Sequence, residues 1–238
     1  MKDKKKGLNL ENKKDTAILI ITGKPKDIGY GHHTRMGLLR ESLLEENIST
    51  EINYFHDSLT IKDQKTKIVL LDNRDSAFPD DILKRKVIKI AIDNRGFGRN
   101  QADFCWDVLP HFSMSHSEFL NSLKRILLPK SVSQIKPASK SAIIKKITSH
   151  KKDNSAQKLP HSSFIKHLKN TLEIECYYGQ TFFEALYLGK KISLYDISPY
   201  HKKLSDWFIE RWNQLPLNER EIDGSGLDRL KSFITSQL

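Results

Sequence analysis

The stretch Gly29-Tyr30-Gly31-His32-His33-Thr34-Arg35 joins two segments of different character. On its N-terminal side, residues 17–21 are apolar and rich in β-branched side chains, a pattern typical of one buried strand. After it, the apolar residues of 36–44 recur at helical spacing, and Asn47 is the predicted end of that helix. The sequence therefore predicts a strand, a glycine-bearing loop and a helix.

The predicted loop has the composition of an anion-binding turn. Gly29 and Gly31 let the backbone approach a ligand closely, and a helix that begins here offers unpaired N–H groups. His32 is then a candidate acid, base or phosphate-contacting group. The stretch is neither a Walker A loop nor G-x-G-x-x-G. A tight turn that carries two exposed histidines is the alternative interpretation.

Composition limits the class of protein. The 238 residues suffice for one large or two small α/β domains, and the formal charge of +11 favours an anionic partner such as phosphate, nucleic acid or a membrane surface. Cys105 and Cys176 match no metal-ligand spacing and indicate two reduced thiols in a cytoplasmic protein. No apolar run approaches the length of a membrane span, and no signal peptide is predicted. Neither a metal nor a cofactor is predicted.

Shifts in composition divide the chain into four segments. Residues 1–15 are lysine-rich and predict a disordered basic leader. Residues 16–129 predict an N-terminal Rossmann-like domain, and 130–160 a Lys/Ser-rich linker whose apolar patch, 142–147, begins the second domain. Residues 161–238 predict a reduced C-terminal nucleotide-binding domain. A lysine-rich RNA-binding patch in 130–160 is disfavoured, because aromatic residues are not interleaved with the lysines.

Two strands of the first domain end in the same three residues. Strands predicted at 67–72 and 87–93 end on Asp72-Asn73-Arg74 and Asp93-Asn94-Arg95. Further strands are predicted at 50–55 and 102–109. Because ligands of open parallel sheets bind at the carboxyl edge, both clusters are candidate binding groups, with simple turns as the alternative.

The second half repeats the order strand, glycine, helix. A strand at 172–178 is followed by Gly179, a helix at 180–188 with Gly189 at its end, and a further strand at 191–195. Amphipathic helices are predicted at 200–212 and from 227 onward. The helix after Gly179 supplies a second N-terminus that could receive an anion.

These motifs carry a family resemblance. The pattern Gly29-x-Gly31-His32-x-x-Arg35 resembles the N-terminal motif of the nucleotide-sugar hydrolases of pseudaminic acid biosynthesis and of related spore-coat polysaccharide proteins. The pattern Gly179-x-Thr181-x-x-Glu184-Ala185-Leu186-x-Leu188-Gly189-Lys190 resembles their donor-binding signature, which is similar to that of the peptidoglycan N-acetylglucosaminyltransferase. Asp223-Gly224-x-Gly226-x-x-Arg229 resembles the segment that opens the last helix of the family.

The resemblance implies a GT-B-like α/β fold, in which two Rossmann-like domains face a cleft, the C-terminal one here reduced. It implies a nucleotide-activated sugar, most simply UDP-linked, as ligand and His32 as the general base that displaces the nucleoside diphosphate. Glu184 would accept hydrogen bonds from the ribose, and Thr181 and the backbone of Gly179 would contact the diphosphate. Gly29, Gly31, Arg35 and Asp93 are the further candidate substrate-binding residues. Arg35 would pair with phosphate or brace Asp72 or Asp93.

Three functions stay open at this point. The first is a UDP-sugar hydrolase or a closely related glycosyltransferase of surface polysaccharide biosynthesis. The second is an inactive GT-B-like protein that binds a nucleotide sugar or a pathway partner, since Tyr178 and Gln180 replace small residues of the family signature. The third is a basic nucleic-acid-binding protein, which a salt-steep affinity would reveal. His201 is a further candidate ligand. The nucleobase, the sugar, the acceptor and the oligomeric state are left open.

Overall fold

A computed structural model describes residues 17–24, 30–55, 65–134, 144–148 and 161–238. The predicted leader, Gly29 and most of the predicted linker lie outside the described residues. Within these ranges the chain forms two parallel β-sheets with helices packed against them. None of the described helices is long and apolar enough to cross a membrane.

The larger sheet contains five parallel strands in the order β2-β1-β3-β4-β5. Its central strands β1 and β3 are buried along their whole length, as expected for parallel strands covered on both faces. The edge strands are β2 and β5, of which β5 is the shorter, with three residues. The bounds are β1 Ile18–Thr22, β2 Thr50–Tyr54, β3 Ile68–Asp72, β4 Ile88–Ile92 and β5 Phe104–Trp106.

Helices cover both faces of this sheet. Helix α1 (Tyr30–Glu45) packs Met36, Leu39 and Leu43 on one face, and helix α2 (Asp80–Leu83) packs Ile82 on the other. A short helix α3, Phe97–Gln101, leads into β5. The predicted doubly wound α/β unit is therefore confirmed.

The smaller sheet has three parallel strands in sequence order, β6 (Ile144–Thr148), β7 (Thr171–Cys176) and β8 (Lys191–Leu194). β6 overlaps the apolar patch, 142–147, that was predicted to begin the second domain. An aromatic core that includes Phe182, Phe183 and Phe208 lies against this sheet. The helices around it are α4 His116–Leu123, α5 Lys130–Ser133, α6 His161–Lys169, α7 Gln180–Tyr187 and α8 Pro199–Gln214, with a 3₁₀-helix at Leu217–Glu219.

The C-terminal helix returns to the larger sheet. Helix α9 (Gly226–Thr235) buries Leu227, Leu230 and Ile234 in the same core as α1. In the other direction, Phe119 and Leu123 of α4 belong to the core of the smaller sheet. The chain thus crosses between the two cores twice, and the predicted boundaries at 129 and 161 stay predictions.

One local prediction needs correction. The sequence predicted that Gly31 and His32 lie in a loop, but α1 already contains them in its first described turn. Helical geometry places residues three apart on the same face, so His32 and Arg35 both reach Asp72 at the end of β3. Those contacts favour the earlier helical start, which the spacing of apolar residues alone could not show.

Substitution of Gly226 in α9, compared with substitution of Gly37 in α1, tests how closely α9 packs against the rest of the chain. A Cβ at Gly226 would lie 2.6 Å from the carbonyl carbon of Arg125, whereas a Cβ at Gly37 would meet nothing within 4 Å. We expect Gly226→Ala to lower the free energy of unfolding by about 1–3 kcal/mol through overpacking. Gly37→Ala should raise it by about 0.5–1 kcal/mol, because alanine loses less backbone entropy in a helix. Urea denaturation measures both, and equal stability of the two variants would contradict this packing of α9.

Candidate functional site

The predicted site residues of the first half meet at the carboxyl edge of the larger sheet. In the strand order β2-β1-β3-β4-β5, the connections leave β1 and β3 in opposite directions, which opens a crevice beyond their carboxyl ends. α1 follows β1 with His32 and Arg35, and Asp72 is the last residue of β3. Asp93 follows β4 directly. The topology therefore brings these four side chains together.

A buried guanidinium lies at the centre of the site. Arg35, 1% exposed, donates from Nε to Asp72 Oδ2 at 3.3 Å and from Nη1 to Asp93 Oδ2 at 2.6 Å. Its Nη2 also contacts Asp72 Oδ1 and lies 2.9 Å from Nδ1 of His32. Arg35 was predicted either to pair with phosphate or to brace Asp72 or Asp93. In the structure it braces both carboxylates.

This pairing fixes the charge state of the buried groups. Burial would raise the pKa of the Asp72 carboxyl, but Arg35 and then His32 outweigh it, and the pKa lies below its ordinary value. Burial likewise opposes the charge of Arg35, yet the two carboxylates raise its pKa above the ordinary value. Asp72 and Arg35 are therefore both charged near neutral pH and form a buried ion pair.

His32 is held by its Nδ1 atom. That atom lies 3.0 Å from Oδ1 of the fully buried Asp72, and the side chain of His32 is 13% exposed. The same atom lies 2.9 Å from Nη2 of Arg35, so Nδ1 has both an acceptor and a donor next to it. In the tautomer with its proton on Nδ1, the ring donates to Asp72 and leaves the lone pair of Nε2 for a ligand. Among the described residues, none hydrogen-bonds Nε2. The imidazole is therefore held at Nδ1, and its ring lines the cleft.

Asp93 links this group to the strand beyond it. Its backbone lies in the left-handed region at φ 48°, which is uncommon for a residue other than glycine. The carboxylate accepts hydrogen bonds from the backbone N–H of Val108 at 2.6 Å and of Leu109 at 3.1 Å, while Arg35 takes the other oxygen. Two backbone bonds and an ion pair thus stabilise the strained turn, a combination found at functional sites.

The cleft itself lies between the two sheets. It is open to solvent and is lined from the first half by His32, Arg74, Asp93 and Arg95. From the second half come Tyr178, Tyr200 and His201. Tyr178 is buried and donates its hydroxyl to the carbonyl of Pro110 at 2.8 Å, which ties the two halves together at the floor. The cleft thus combines cationic and aromatic side chains.

The rings of His111 and Tyr200 form a cluster that also lines the cleft. His111 Nε2 lies 3.1 Å from the hydroxyl of Tyr200, and the Arg74 guanidinium stacks 4.2 Å from the centre of the Tyr200 ring. Burial, then the positive charges of Arg95 and Arg74, lower the pKa of His111 to about 4. Burial and Arg74 also lower the pKa of His201. Both rings are neutral near pH 7, and the positive charge of this part of the cleft belongs to arginine.

The predicted donor-binding residues of the second half do not line this cleft. Gly179 precedes α7 with an extended backbone, and Thr181 is half-buried in its first turn. Glu184 is fully buried and accepts a hydrogen bond from Gln180 Nε2 at 3.2 Å. The same Gln180 amide donates to the carbonyl of Leu127 at 2.7 Å, and a Cβ at Gly31 would lie 3.6 Å from the Cβ of Gln180. Gln180, the first residue of α7, therefore lies close to the first described turn of α1.

Other cleft residues were not singled out from the sequence. Arg74 and Arg95 were noted only as part of the Asp-Asn-Arg clusters, and His111, Tyr178 and Tyr200 were not predicted. A usable signal existed for His111, because it follows β5 and therefore lies at the same carboxyl edge as Asp72. For Tyr178 and Tyr200 the site depends on how the two sheets pack, which local sequence does not encode.

The described ranges contain no group of three or more His, Cys, Asp or Glu side chains placed to hold a metal ion. Gly29 of the opening motif falls outside the described residues. Comparisons of the chain with models of protein families, with curated proteins and with solved structures found no match.

Proposed function

We propose that the chain binds a nucleotide-activated sugar in the cleft and uses His32 as a general base to displace the nucleoside diphosphate. This makes it a UDP-sugar hydrolase or a closely related glycosyltransferase of surface polysaccharide biosynthesis. The observation that carries the proposal is the orientation of His32: Nδ1 is held by buried Asp72 at 3.0 Å while the ring lines an open cleft. A carboxylate that fixes the tautomer of a histidine is a recurrent arrangement for general bases.

The proposed reaction balances as follows. A water molecule, or a hydroxyl of an acceptor sugar, attacks the anomeric carbon, and the bond from that carbon to the diphosphate oxygen breaks with its electron pair leaving on UDP. Nε2 of His32 takes the proton of the nucleophile. The imidazolium that forms donates from Nδ1 to Asp72. Asp72 is ionised next to Nδ1, so its negative charge faces the imidazolium.

The charge and the lining residues of the cleft support a phosphate-bearing ligand. Arg74 and Arg95 supply positive charge, and the rings of Tyr200 and His111 offer flat faces to a sugar or a base. Two parallel sheets with a cleft between them also support the GT-B-like arrangement that the motifs implied.

Release of UDP from UDP-linked amino sugars tests the proposal. We would incubate the protein with UDP-N-acetylglucosamine and with modified UDP-amino sugars, with and without candidate acceptors, and quantify UDP by a coupled assay. Release that saturates with the sugar donor is the expected result. If UDP itself does not bind in a titration at millimolar concentration, the proposal is wrong.

A second function, binding without turnover, is favoured by one observation. The Gln180 side chain at the start of α7 bonds Leu127 and Glu184, and Glu184 is fully buried. A ligand that needs Glu184 would therefore require rearrangement around Gln180. UDP binding without any UDP release from the donor panel would identify this alternative.

A further inference from the structure

The two loops that end β3 and β4 form one interlocked unit. The backbone N–H of Arg95 donates to the carbonyl of Arg74 at 2.6 Å, and the N–H of Gly96 donates to the same oxygen at 3.2 Å. The loops therefore touch at the very residues whose side chains enter the cleft. A shift of one arginine-bearing loop would require the other to move with it.

A buried amide secures this unit. Asn94 is fully buried, and its Nδ2 donates to the carbonyls of Asn73 at 2.6 Å and Ser76 at 2.8 Å. Its Oδ1 accepts from the backbone N–H of Gly96 and of Arg99, both at 3.0 Å. Both N–H donors and both oxygen lone pairs of the amide are therefore used. Such a network holds the backbone between Asp93 and Gly96 in one conformation.

The loops also pack too closely for larger residues. A Cβ at Gly96 would lie 2.6 Å from the carbonyl oxygen of Asp75, and a Cβ at Gly98 would lie 2.5 Å from that of Ser76. Neither contact is compatible with a side chain unless the backbone moves. The two glycines thus permit the close approach that sets Arg74 beside Arg95.

The charges on the two arginines are incompletely paired. Arg74 forms no ion pair with any carboxylate of the described residues, and its guanidinium stacks on Tyr200 instead. Nη2 of Arg95 lies 3.3 Å from Asp107 Oδ1, but Arg99 already binds both oxygens of that carboxylate, at 2.9 and 3.1 Å. The buried Nη2 of Arg95 has no hydrogen-bond acceptor within the described part of the chain. The positive charge of Arg74 therefore remains for a ligand. Arg95 shares the single negative charge of Asp107 with Arg99, so the positive charge there is only partly neutralised.

We infer that Arg74 and Arg95 form a two-point clamp for the diphosphate of the ligand, and that the interlocked loops set the position of both guanidinium groups. The inference rests on the proposed function for the kind of ligand. It moves phosphate recognition from the start of α7, where the motif placed it, to the Asp-Asn-Arg loops. Arginine suits this task, because its planar fork pairs with phosphate oxygens in a bidentate way.

The histidine rings that line the cleft do not supply the positive charge that an anion would meet. Since burial and the two arginines lower the pKa of His111 to about 4, this ring carries no charge at pH 7. His201 is lowered in the same direction. Among the residues that line the cleft, Arg74 and Arg95 thus carry the permanent positive charge that an anion would meet.

Calorimetric titration with inorganic pyrophosphate tests the clamp directly. We expect pyrophosphate to bind the full-length protein at least 10-fold more tightly than orthophosphate, because the proposed clamp holds one phosphoryl group at each arginine. Arg74→Ala and Arg95→Ala should each weaken pyrophosphate binding by roughly 10- to 100-fold, the range for charge-assisted hydrogen bonds. Arg74→Lys, which keeps the charge but loses the fork, should weaken it less than Arg74→Ala.

Lys67→Ala is the matched control. Lys67 is exposed and directly precedes β3, so it lies at the opposite edge of the sheet, and its removal also costs one positive charge. Binding that is unchanged in both arginine variants, or equally weakened by Lys67→Ala, would overturn the clamp in favour of diffuse attraction by net charge. Equal affinity for pyrophosphate and orthophosphate would also overturn it.

The two proposals fail in distinguishable ways. If UDP release depends on His32 but pyrophosphate binding does not depend on Arg74 or Arg95, the clamp is wrong and the proposed function stands. If pyrophosphate binds through both arginines but no UDP-sugar is turned over, the clamp stands and the protein is a binder. Circular dichroism of each variant checks that the loops still fold.

Discussion

Replacement of His32 by asparagine should lower the rate of UDP release by about 10²- to 10⁴-fold, the usual contribution of one general base. Asparagine keeps a polar group near Asp72 but cannot take a proton from the nucleophile. Because Nε2 acts on the nucleophile and not on the diphosphate, affinity for UDP should change less than 10-fold. The measurement is steady-state release of UDP together with calorimetric titration of UDP.

The adjacent histidine provides the control for this prediction. His33 points away from the site and stacks on Tyr54, whose hydroxyl lies 3.2 Å from its Nδ1. We expect His33→Asn to leave UDP release within about 2-fold of the wild-type rate. A His32→Asn variant that retains more than a tenth of the wild-type rate, or a His33→Asn variant that loses as much, would contradict the assignment of the base.

Replacement of Arg35 by methionine should lower the free energy of unfolding by about 3–5 kcal/mol, as expected when one partner is removed from a buried ion network. Methionine fills a similar volume, so the loss reflects charge rather than a cavity. Asp72, fully buried, and Asp93, 11% exposed, would then face each other without their shared cation. Urea denaturation followed by tryptophan fluorescence gives the free energy.

The pH dependence of the same experiment separates charge from packing. In the wild-type protein the pKa of Asp72 lies below its ordinary value of 3.8, so its stabilising effect is complete above that value and is lost as pH falls through the lower folded pKa. In Arg35→Met, burial is unopposed by the guanidinium and raises the pKa of Asp72. Acidification from pH 7 towards pH 4 should therefore narrow the gap between variant and wild type.

Arg40 on the same helix serves as the control for Arg35. It is exposed, and its Nε donates to the carbonyl of Thr50 at 3.1 Å at the far edge of the sheet. Arg40→Met should cost less than about 1 kcal/mol, with no dependence on pH between 4 and 7. A similar loss in both variants, or a gap for Arg35→Met that stays constant with pH, would refute the central role of Arg35.

The elements with a strong local signal were predictable. Residues 17–21 and 67–72 are short β-branched runs between polar segments, and they became the buried central strands β1 and β3. Asn47 and Gly189, predicted as helix ends, adopt φ angles of 60° and 63°, which stop a helix. In each case the deciding interaction lies within a few residues, so the sequence pattern is sufficient.

The site was predictable only where the topology fixes it. Asp72 and Asp93 end neighbouring parallel strands, so their meeting at one edge follows from the fold class. The placement of Thr181 and Glu184 away from the cleft does not follow from any local pattern, because it depends on the Gln180 amide bonded to Leu127, a residue 53 positions away in the chain. Such contacts become visible only once both sheets are packed together.

The most direct test of the central claim is the histidine side-chain ¹⁵N spectrum of the protein, recorded with and without UDP. Individual His→Asn variants assign the ring signals. We expect UDP to shift the signals of His32, His111 and His201, which line the cleft, and to leave those of the exposed His116 and His167 unchanged. UDP that binds without moving the signals of His32 and His111 would show that the ligand site lies elsewhere and would contradict the claim.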